Sequence, residues 1–302
     1  MKKVIILLGP TGVGKTGASI LLAQALDTEI ISADSMQIYR GMDIGTAKPP
    51  VGERSGVKHH MIDLVDPSES FSAGRYIKTI SPVIDDLHAR GKVPLIVGGT
   101  GLYIKAITRG IFSGPSADWD LRGELLSAEE TEPGVLYTYL LKIDPDAASR
   151  IERNDTRRVV RALEVCLKGK DRMSVLQERL TRPLPYDFVK IGLTRERKEL
   201  YGLIESRVDR MLEQGLIEEV KSLLANTPDR TPLQAIGYKE VASYLQGDIS
   251  MDEALRLVKR NTRRYAKRQF SWFKKEEGIE WIELTGVYNS RDVFRAIMKA
   301  LE

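Results

Sequence analysis

The glycine-rich segment that follows the first apolar run constrains the fold of this chain more than any other feature. Residues 4–8 are all apolar, and the next eight residues match the pattern Gly-x-x-x-x-Gly-Lys-Thr: Gly9, Pro10, Thr11, Gly12, Val13, Gly14, Lys15 and Thr16. A fully apolar run is typical of a buried parallel strand. Glycines let consecutive backbone N–H groups face an anion at the start of the following helix. The segment therefore predicts a P-loop that binds phosphate or pyrophosphate.

Two side chains of this P-loop have a predicted role. Lys15 supplies a mobile positive charge, and the Thr16 hydroxyl is expected to hold a magnesium ion beside the bound phosphates. The pattern thus predicts a bound anion, but it does not identify the reaction.

Apolar runs and helical patterns alternate along the first third of the chain. Strands are predicted at residues 4–8, 28–32, 60–65 and 93–97, and helices at residues 15–26 and 73–90. This order predicts an α/β fold: a P-loop NTPase-like, mostly parallel sheet that is covered by helices. Ligands are then expected at the carboxyl ends of the strands.

The alternation stops between residues 113 and 185, where prolines and glycines punctuate a helical pattern. After it we expect a strand at residues 188–193, helices over 195–274, a strand at 280–284 and a last helix from Ser290. The chain is therefore predicted to have a catalytic core, residues 1–113 plus 186–302, and an inserted helical domain, residues 114–185.

An acidic residue, Asp34, follows the second predicted strand and is expected on the same rim of the sheet as the P-loop. Three roles are open for this carboxylate: a turn residue that bonds its own backbone, a magnesium ligand, or a general base that faces a substrate beside the phosphates. The residues alone do not choose among them.

The fourth predicted strand ends in Gly98, Gly99 and Thr100. An NTPase that couples hydrolysis to work usually has an acidic residue at this point, so its absence weakens that interpretation. Thr100 precedes an apolar helical segment and could cap that helix, face the substrate, or do both.

Basic residues are concentrated near the C-terminal end. The chain has 46 basic and 42 acidic residues, but residues 256–275 contain nine basic residues and no acidic one. Aromatic residues are interleaved with them: Tyr265, Phe270, Trp272 and Phe273. Such a helix is typical of a surface that binds an RNA phosphate backbone. The alternative is a solvated helix face with the aromatic side chains packed below it.

A second basic group lies in the expected insertion, at Arg150, Arg153, Arg157, Arg158 and Arg161. Asn154 and Asp155 could cap a helix there. If the helix begins after Asp155, Arg157 and Arg161 share one face, and Val159 and Val160 supply a buried one.

Composition excludes several kinds of site. With one cysteine, Cys166, the chain can form neither an internal disulfide nor a multi-cysteine metal site, which fits a reducing cytoplasm. Cys166 itself is expected to be inert packing. Three histidines, of which His59 and His60 are adjacent, are too few to predict a metal site. No stretch approaches the ~20 apolar residues of a membrane span, so we expect no membrane association.

Seven segments of the chain closely resemble the bacterial tRNA dimethylallyltransferase (IPP transferase) family. They lie at residues 9–16, 34–49, 59–63, 98–103, 157–164, 236–239 and 264–269. The second of them, Asp-Ser-Met-Gln-Ile-Tyr-Arg-Gly-Met-Asp-Ile-Gly-Thr-Ala-Lys-Pro, is far more specific than the P-loop. The resemblance extends over nearly the whole chain.

The resemblance implies transfer of a dimethylallyl group from its pyrophosphate to N6 of adenosine 37, directly 3′ of a tRNA anticodon. It implies that Lys15, Thr16 and Mg2+ hold the pyrophosphate with help from Arg207, and that Asp34 is the base with Thr100 beside it. It further implies tRNA contacts at Asp34, Ser35, Met36, Gln37, Thr100, Arg122, Arg157, Arg158, Val159, Val160 and Arg161. The partners are then the tRNA anticodon stem-loop and dimethylallyl pyrophosphate, and we expect a cytoplasmic monomer.

Three other functions compete with this one. A related enzyme could prenylate a free adenine nucleotide, although the long basic segment argues against this. A nucleotide or small-molecule kinase would also have a P-loop. A non-catalytic RNA-binding protein with a vestigial loop is disfavoured because Lys15, Thr16 and Asp34 are all intact.

Overall fold

The computed structural model describes residues 2–112, 114–169 and 171–302. The chain divides into two compact units, one formed by Met1–Ile104 and Pro185–Glu302, the other by Lys105–Leu184. The second unit begins at residue 105, whereas the sequence placed the start of the insertion at residue 114. Its entering and leaving segments run side by side, and the Leu184 N–H donates to the Ile107 carbonyl at 3.0 Å.

The first unit is built on one six-stranded sheet. Its strands are β1 Lys3–Leu8, β2 Ile30–Ala33, β3 His59–His60, β4 Leu95–Gly98, β5 Asp187–Thr194 and β6 Ile279–Glu283. They lie in the order β3-β2-β4-β1-β5-β6, and every neighbouring pair is parallel. The predicted α/β fold with a parallel sheet is therefore confirmed.

The register of the sheet brings the functional loops together. Leu8 at the end of β1 lies opposite Gly98 of β4, and Gly98 in turn lies opposite Ala33 of β2. The P-loop, Asp34 and Thr100 follow these three strand ends directly. They therefore meet at one edge of the sheet.

Helices cover the sheet and continue beyond it. In the first unit they are α1 Lys15–Ala25, α2 Ala73–Ala89, α9 Arg197–Glu213, α10 Leu216–Ala225, α11 Arg230–Leu233, α12 Tyr238–Leu245, α13 Met251–Phe273 and α14 Ser290–Leu301. Helix α3 Gly101–Thr108 begins in the first unit and ends in the second. A short 3-10 helix spans Val51–Arg54. None of the helices in the described residues is long and apolar enough to cross a bilayer.

The core of the first unit explains why β1 is apolar throughout. Both faces of β1 are buried, and residues 4–8 are at most 4% exposed. One apolar cluster joins the sheet to helices α1, α9 and α14 through residues that include Leu22, Ile191, Ile204 and Ile297. Burial on this scale is the main stabilising contribution to such a fold.

The third strand is much shorter than the predicted strand at residues 60–65. Strand β3 ends at His60, because Met61 and Asp63 adopt left-handed backbone angles, with φ of 64° and 54°. Such angles interrupt the regular pairing of a strand. Further along, Val65 pairs with Tyr39 only through an isolated bridge.

The second unit contains only helices in its described part. They are α4 Trp119–Thr131, α5 Val135–Ile143, α6 Pro145–Ser149, α7 Thr156–Lys168 and α8 Met173–Leu180. Helix α7 begins as the sequence predicts, because the Asp155 carboxylate caps it by accepting the Arg158 N–H. Its apolar face, with Val159, Val160 and Leu163, is buried in the core of this unit.

Candidate active site

The P-loop connects β1 to α1, as the sequence predicts. Gly14 caps α1 with a φ of 110°, a left-handed angle that side chains other than glycine rarely adopt. A Cβ atom at Gly9 would lie 2.6 Å from the Leu193 carbonyl oxygen, so the close approach of this loop to β5 requires glycine. Glycine is therefore required near both ends of the loop, at Gly9 and at Gly14.

The Lys15 side chain folds back over the first residues of the P-loop. Its Nζ atom donates to the Gly9 and Pro10 carbonyl oxygens at 2.8 and 2.9 Å. Burial lowers the pKa of Lys15 to about 7, an effect that Asp34 opposes and that Arg207 reinforces. Lys15, Asp34 and Arg207 thus share one electrostatic environment.

Arg207 reaches the P-loop from α9. Its Nη2 atom donates to the Thr11 hydroxyl at 2.7 Å. Its Nε atom is buried and has no hydrogen-bond partner within the described residues. An unpaired buried donor costs ~1–3 kcal/mol, and an anion at the P-loop would remove that cost. Burial also lowers the pKa of Arg207, and Asp34 opposes that shift.

Asp34 forms the turn that its position suggests. Its Oδ1 atom accepts the Met36 N–H at 2.9 Å, so one carboxylate oxygen stabilises the local backbone. The carboxylate also lines a cavity. The turn role therefore leaves the second oxygen for chemistry.

Thr100 joins the loops after β2 and β4. Its Oγ1 atom accepts the Ser35 N–H at 3.0 Å, and its own N–H donates to the Ala33 carbonyl at 3.0 Å. The Thr100 carbonyl accepts the Tyr103 and Ile104 N–H groups of α3 at 2.9 and 3.2 Å. Thr100 therefore lies beside the turn that holds Asp34.

Tyr265 of α13 lies next to the same turn. Burial, with a smaller contribution from Asp34, raises the pKa of its hydroxyl to about 12, and hydrogen bonds with Thr100 and Gln269 oppose the shift. The hydroxyl is thus protonated at neutral pH and can donate to a neighbouring oxygen.

Two cavities meet at Arg207. The phosphate cavity, about 860 Å³, is lined by Gly12, Gly14, Thr16, Arg207 and Arg210, among others. The central cavity, about 270 Å³, is lined by polar residues that include Thr11, Asp34, Arg207 and Tyr265, and by apolar residues that include Val208, Met211, Ala235, Ile236 and Val258. Arg207 and Met211 line both, so the two cavities adjoin at these side chains.

A third concave surface, the basic groove, lies on α13 and just beyond it. It has a volume of about 440 Å³ and is lined by Arg264, Lys267, Arg268, Ser271, Trp272 and Lys275. Arg268 also lines the central cavity. The groove therefore adjoins the cavity that holds Asp34.

Several of the basic side chains at residues 256–275 are paired with acidic residues. Arg256, Lys259 and Arg263 form ion pairs with Glu253, Asp209 and Glu205, respectively. The aromatic residues follow the alternative interpretation in part: Phe273 is fully buried, and Phe270 packs edge-on against Trp281. Only part of the predicted basic surface is therefore open to a ligand.

The loop of residues 34–49 is braced by residues that the sequence did not single out. Glu219 of α10 accepts the N–H groups of Asp43, Ile44 and Gly45 at 2.8–3.0 Å, and it also accepts the Tyr238 hydroxyl at 2.5 Å. Nothing in the pattern of α10 distinguishes Glu219 from any solvated glutamate. Its role depends entirely on the folded structure.

Gln37 and Met36 lie in the same braced loop. The Gln37 Nε2 atom donates to the Thr46 carbonyl at 3.3 Å, and its Oε1 atom accepts the Ser32 hydroxyl at 3.2 Å. Ser35 and Met36 line the central cavity. Gln37 therefore stabilises the loop, and contact of these residues with tRNA remains a prediction.

The arginines predicted to bind tRNA in the second unit differ in environment. Arg122 and Arg161 both pair with Glu164, which is fully buried, and Arg122 also stacks on Trp119. Arg157 and Arg158 are exposed. The sequence pattern of α7 does not single out Glu164, because a glutamate in an amphipathic helix is usually solvated.

Val159 and Val160 are at most 5% exposed. Their burial confirms the expectation from the helical pattern. It also means that their side chains are not on the surface, so the tRNA contacts that the resemblance implies at these two positions remain predictions.

The residues around the P-loop fit a magnesium ion that is held mainly by its phosphate ligand. The described residues contain no cluster of three or more His, Cys, Asp and Glu side chains that could form a metal site. His60 instead pairs with Glu29, and His59 bonds the Val57 carbonyl. Thr16 is exposed and lines the phosphate cavity. Magnesium commonly uses few protein ligands together with substrate phosphates and water.

Comparison with known proteins identifies the family of this chain. The IPP transferase family profile matches residues 37–276. A tRNA dimethylallyltransferase from Thermodesulfovibrio yellowstonii is 54% identical, over 99% of this chain and 98% of that protein. One from Geobacter sulfurreducens is 46% identical, over 95% and 94%.

Solved structures of related enzymes have a similar fold. The tRNA isopentenylpyrophosphate transferase from Bacillus halodurans superposes with a TM-score of 0.73 at 44% identity, covering 99% of this chain and 96% of that one. A eukaryotic dimethylallyltransferase described as acting on tRNA has a TM-score of 0.83 at 34% identity, covering 100% and 78%. The chain therefore belongs to the IPP transferase family of enzymes.

Proposed function

We propose that this enzyme transfers a dimethylallyl group from dimethylallyl pyrophosphate to the exocyclic N6 of adenosine 37, directly 3′ of a tRNA anticodon. The observation that carries the proposal is the position of Arg207, which lines both the phosphate cavity and the central cavity. The names of the relatives support the same reaction, since they are tRNA dimethylallyltransferases.

The P-loop holds the leaving group. As the bond between the allylic carbon and oxygen breaks, negative charge grows on the departing pyrophosphate. Backbone N–H groups of the loop, Lys15 and Arg207 stabilise that charge more strongly in the transition state than in the ground state. Magnesium held by the Thr16 hydroxyl and the pyrophosphate would neutralise further charge.

The central cavity holds the five-carbon group and the attacking base. Its apolar lining residues, which include Val208, Met211 and Val258, suit a hydrocarbon. Asp34 lines the same cavity and takes the proton from N6. The adenine amine becomes strongly acidic as its nitrogen bonds to carbon, so a carboxylate is a sufficient base.

The basic groove receives the RNA strand. Arg268 lines both the groove and the central cavity, so a base that leaves its stack beside the groove can enter the cavity. Unstacking costs a few kcal/mol and is cheapest in a loop. This favours the anticodon loop over a duplex. We further propose that the enzyme acts as a monomer in the cytoplasm.

A direct assay tests this function. Labelled dimethylallyl pyrophosphate is incubated with the enzyme and magnesium together with either tRNA or AMP, and labelled ATP is tested with the same acceptors. We expect prenyl label in tRNA alone. Label in AMP would indicate a nucleotide prenyltransferase, and transfer of phosphate from ATP would indicate a kinase; either result would contradict the proposal.

The pH dependence of donor use should report Lys15. Its pKa is lowered to about 7, so the ammonium is present below this pH and is lost above it. Because pyrophosphate binding uses the charged form, kcat/KM for the donor should fall as pH rises above about 7, approaching tenfold per pH unit. The measurement is kcat/KM at saturating tRNA across this range.

Lys15→Arg provides the control for this pH profile. A guanidinium keeps its charge throughout the range, so the variant, whatever its absolute rate, should show no decline that begins near pH 7. A wild-type profile that stays flat through that pH would show that Lys15 ionisation does not govern donor binding.

The salt dependence of tRNA binding should depend on Lys267. This side chain is exposed and lines the basic groove. Lys267→Ala should reduce the slope of log affinity against log salt concentration by about 0.7–0.9, the value for one lost phosphate contact. Lys259→Ala is the control, because Lys259 is paired with Asp209. Equal slopes for wild type and Lys267→Ala would remove the groove from the tRNA interface.

A further inference from the structure

One buried side chain joins the P-loop to the loop that follows β4. Gln269 of α13 is 6% exposed. Its Oε1 atom accepts the Thr11 N–H at 2.9 Å, and its Nε2 atom donates to the Gly99 carbonyl at 2.8 Å. A single amide therefore ties the P-loop to the turn that follows β4.

The fit around this amide is tight. A Cβ atom at Gly99 would lie 2.4 Å from the Gln269 Nε2 atom, so a larger residue there would displace the amide. The two bonds need an acceptor and a donor at the end of one side chain. Glutamine supplies both at this reach, which fixes the orientation of the amide.

The bonded partners of Gln269 connect it to the groups around the leaving pyrophosphate. Thr11, whose N–H it accepts, also accepts Arg207 through its hydroxyl at 2.7 Å. Tyr265 lies one helical turn before Gln269, and its hydroxyl interacts with both Gln269 and Thr100. Gln269 is thus linked to the anion-binding side of the site and to the side that holds Asp34.

We propose that Gln269 is a positioning residue that holds the P-loop and Arg207 in the shape that receives the pyrophosphate. The identity of this ligand rests on the proposed function. Gln269 is buried, whereas Lys267 and Arg268 beside it on α13 are exposed. Its effect should therefore fall on anion binding and leave tRNA binding unchanged.

Gln269→Met tests the proposal, because methionine has a similar length but neither donates to Gly99 nor accepts strongly from Thr11. We would measure binding of inorganic pyrophosphate with magnesium by calorimetry, and binding of tRNA separately. The dissociation constant for pyrophosphate should rise by about tenfold, equivalent to ~1.4 kcal/mol, with tRNA affinity unchanged. The matched control is Gln246→Met, which changes an exposed glutamine at the end of α12 and should alter neither constant.

Gln269→Glu carries the test if the methionine variant does not fold. It keeps the size and the acceptor for Thr11, loses the donor to Gly99, and adds a negative charge beside the anion site. It should weaken pyrophosphate binding at least as much as methionine does, and KM for the donor should rise while KM for tRNA does not.

Two results would overturn the proposal: unchanged pyrophosphate affinity in the folded variants, or a parallel loss of pyrophosphate and tRNA affinity, which would indicate a purely structural role. Both binding measurements are independent of prenyl transfer. A failure of the proposed function would instead appear as wild-type enzyme that does not prenylate tRNA.

Discussion

Asp34→Asn should lower kcat for dimethylallyl transfer by ~10²–10⁴-fold, or ~2.7–5.4 kcal/mol of barrier, while tRNA binding persists. Asparagine keeps the oxygen that accepts the Met36 N–H at 2.9 Å, so the turn is retained. It cannot take a proton from N6. The variant therefore separates the turn role of this side chain from its role as a base. Single-turnover transfer with enzyme in excess of tRNA measures the effect.

Asp248→Asn provides the matched control for this experiment. Asp248 is exposed in the turn after α12, and its change should leave transfer unaffected. Near-normal turnover by Asp34→Asn would remove Asp34 from the proton transfer. Asp34→Ala would then show whether the turn alone matters.

Lys15→Met should lower kcat/KM for the donor by ~10²–10³-fold, the loss typical of removing one group that stabilises a developing anion. The same change should raise the thermal midpoint of unfolding. Burial lowers the pKa of Lys15 to about 7, which means that the folded protein pays for a desolvated ammonium at and below that pH. Activity measured against donor concentration and a thermal melt together test this prediction.

The direction of the stability change depends on pH. The folded-state pKa of Lys15 is below its unfolded value of 10.5. The loss of folding stability caused by burying the ammonium is therefore fully present below about pH 7, and it fades as pH rises from 7 towards 10.5. The gain from Lys15→Met should therefore be larger at pH 6 than at pH 9. Lys221→Met, at an exposed position on α10, is the control. A variant that loses stability at the lower pH would contradict the desolvation of Lys15.

Sequence patterns predicted the parts of the site that are local in the chain. The P-loop follows a buried strand and begins a helix, and Asp34 and Thr100 follow neighbouring strands, as expected from the order of the elements. Parallel strands place their carboxyl ends at one edge, so these residues had to meet. Even there, β3 was predicted too long, because residues 60–65 do not by themselves reveal the left-handed angles at Met61 and Asp63.

The supporting residues could not be predicted in the same way. Gln269 is 258 positions from Thr11 in the chain, and Glu219 is 176 positions from Asp43 in the loop that it braces. No periodic pattern links such pairs, and a glutamine or glutamate in an amphipathic helix normally faces solvent. The count of basic residues on α13 also overestimated the surface open to RNA, because it did not reveal the ion pairs at Lys259 and Arg263.

The most direct test of the account is a crystal structure of the enzyme with magnesium and a non-reactive thio analogue of dimethylallyl pyrophosphate. We predict the pyrophosphate in the phosphate cavity against the P-loop, in contact with Arg207. The hydrocarbon should pass this side chain into the central cavity and end near Asp34. A hydrocarbon that points away from Asp34, or a pyrophosphate bound elsewhere, would contradict the mechanism.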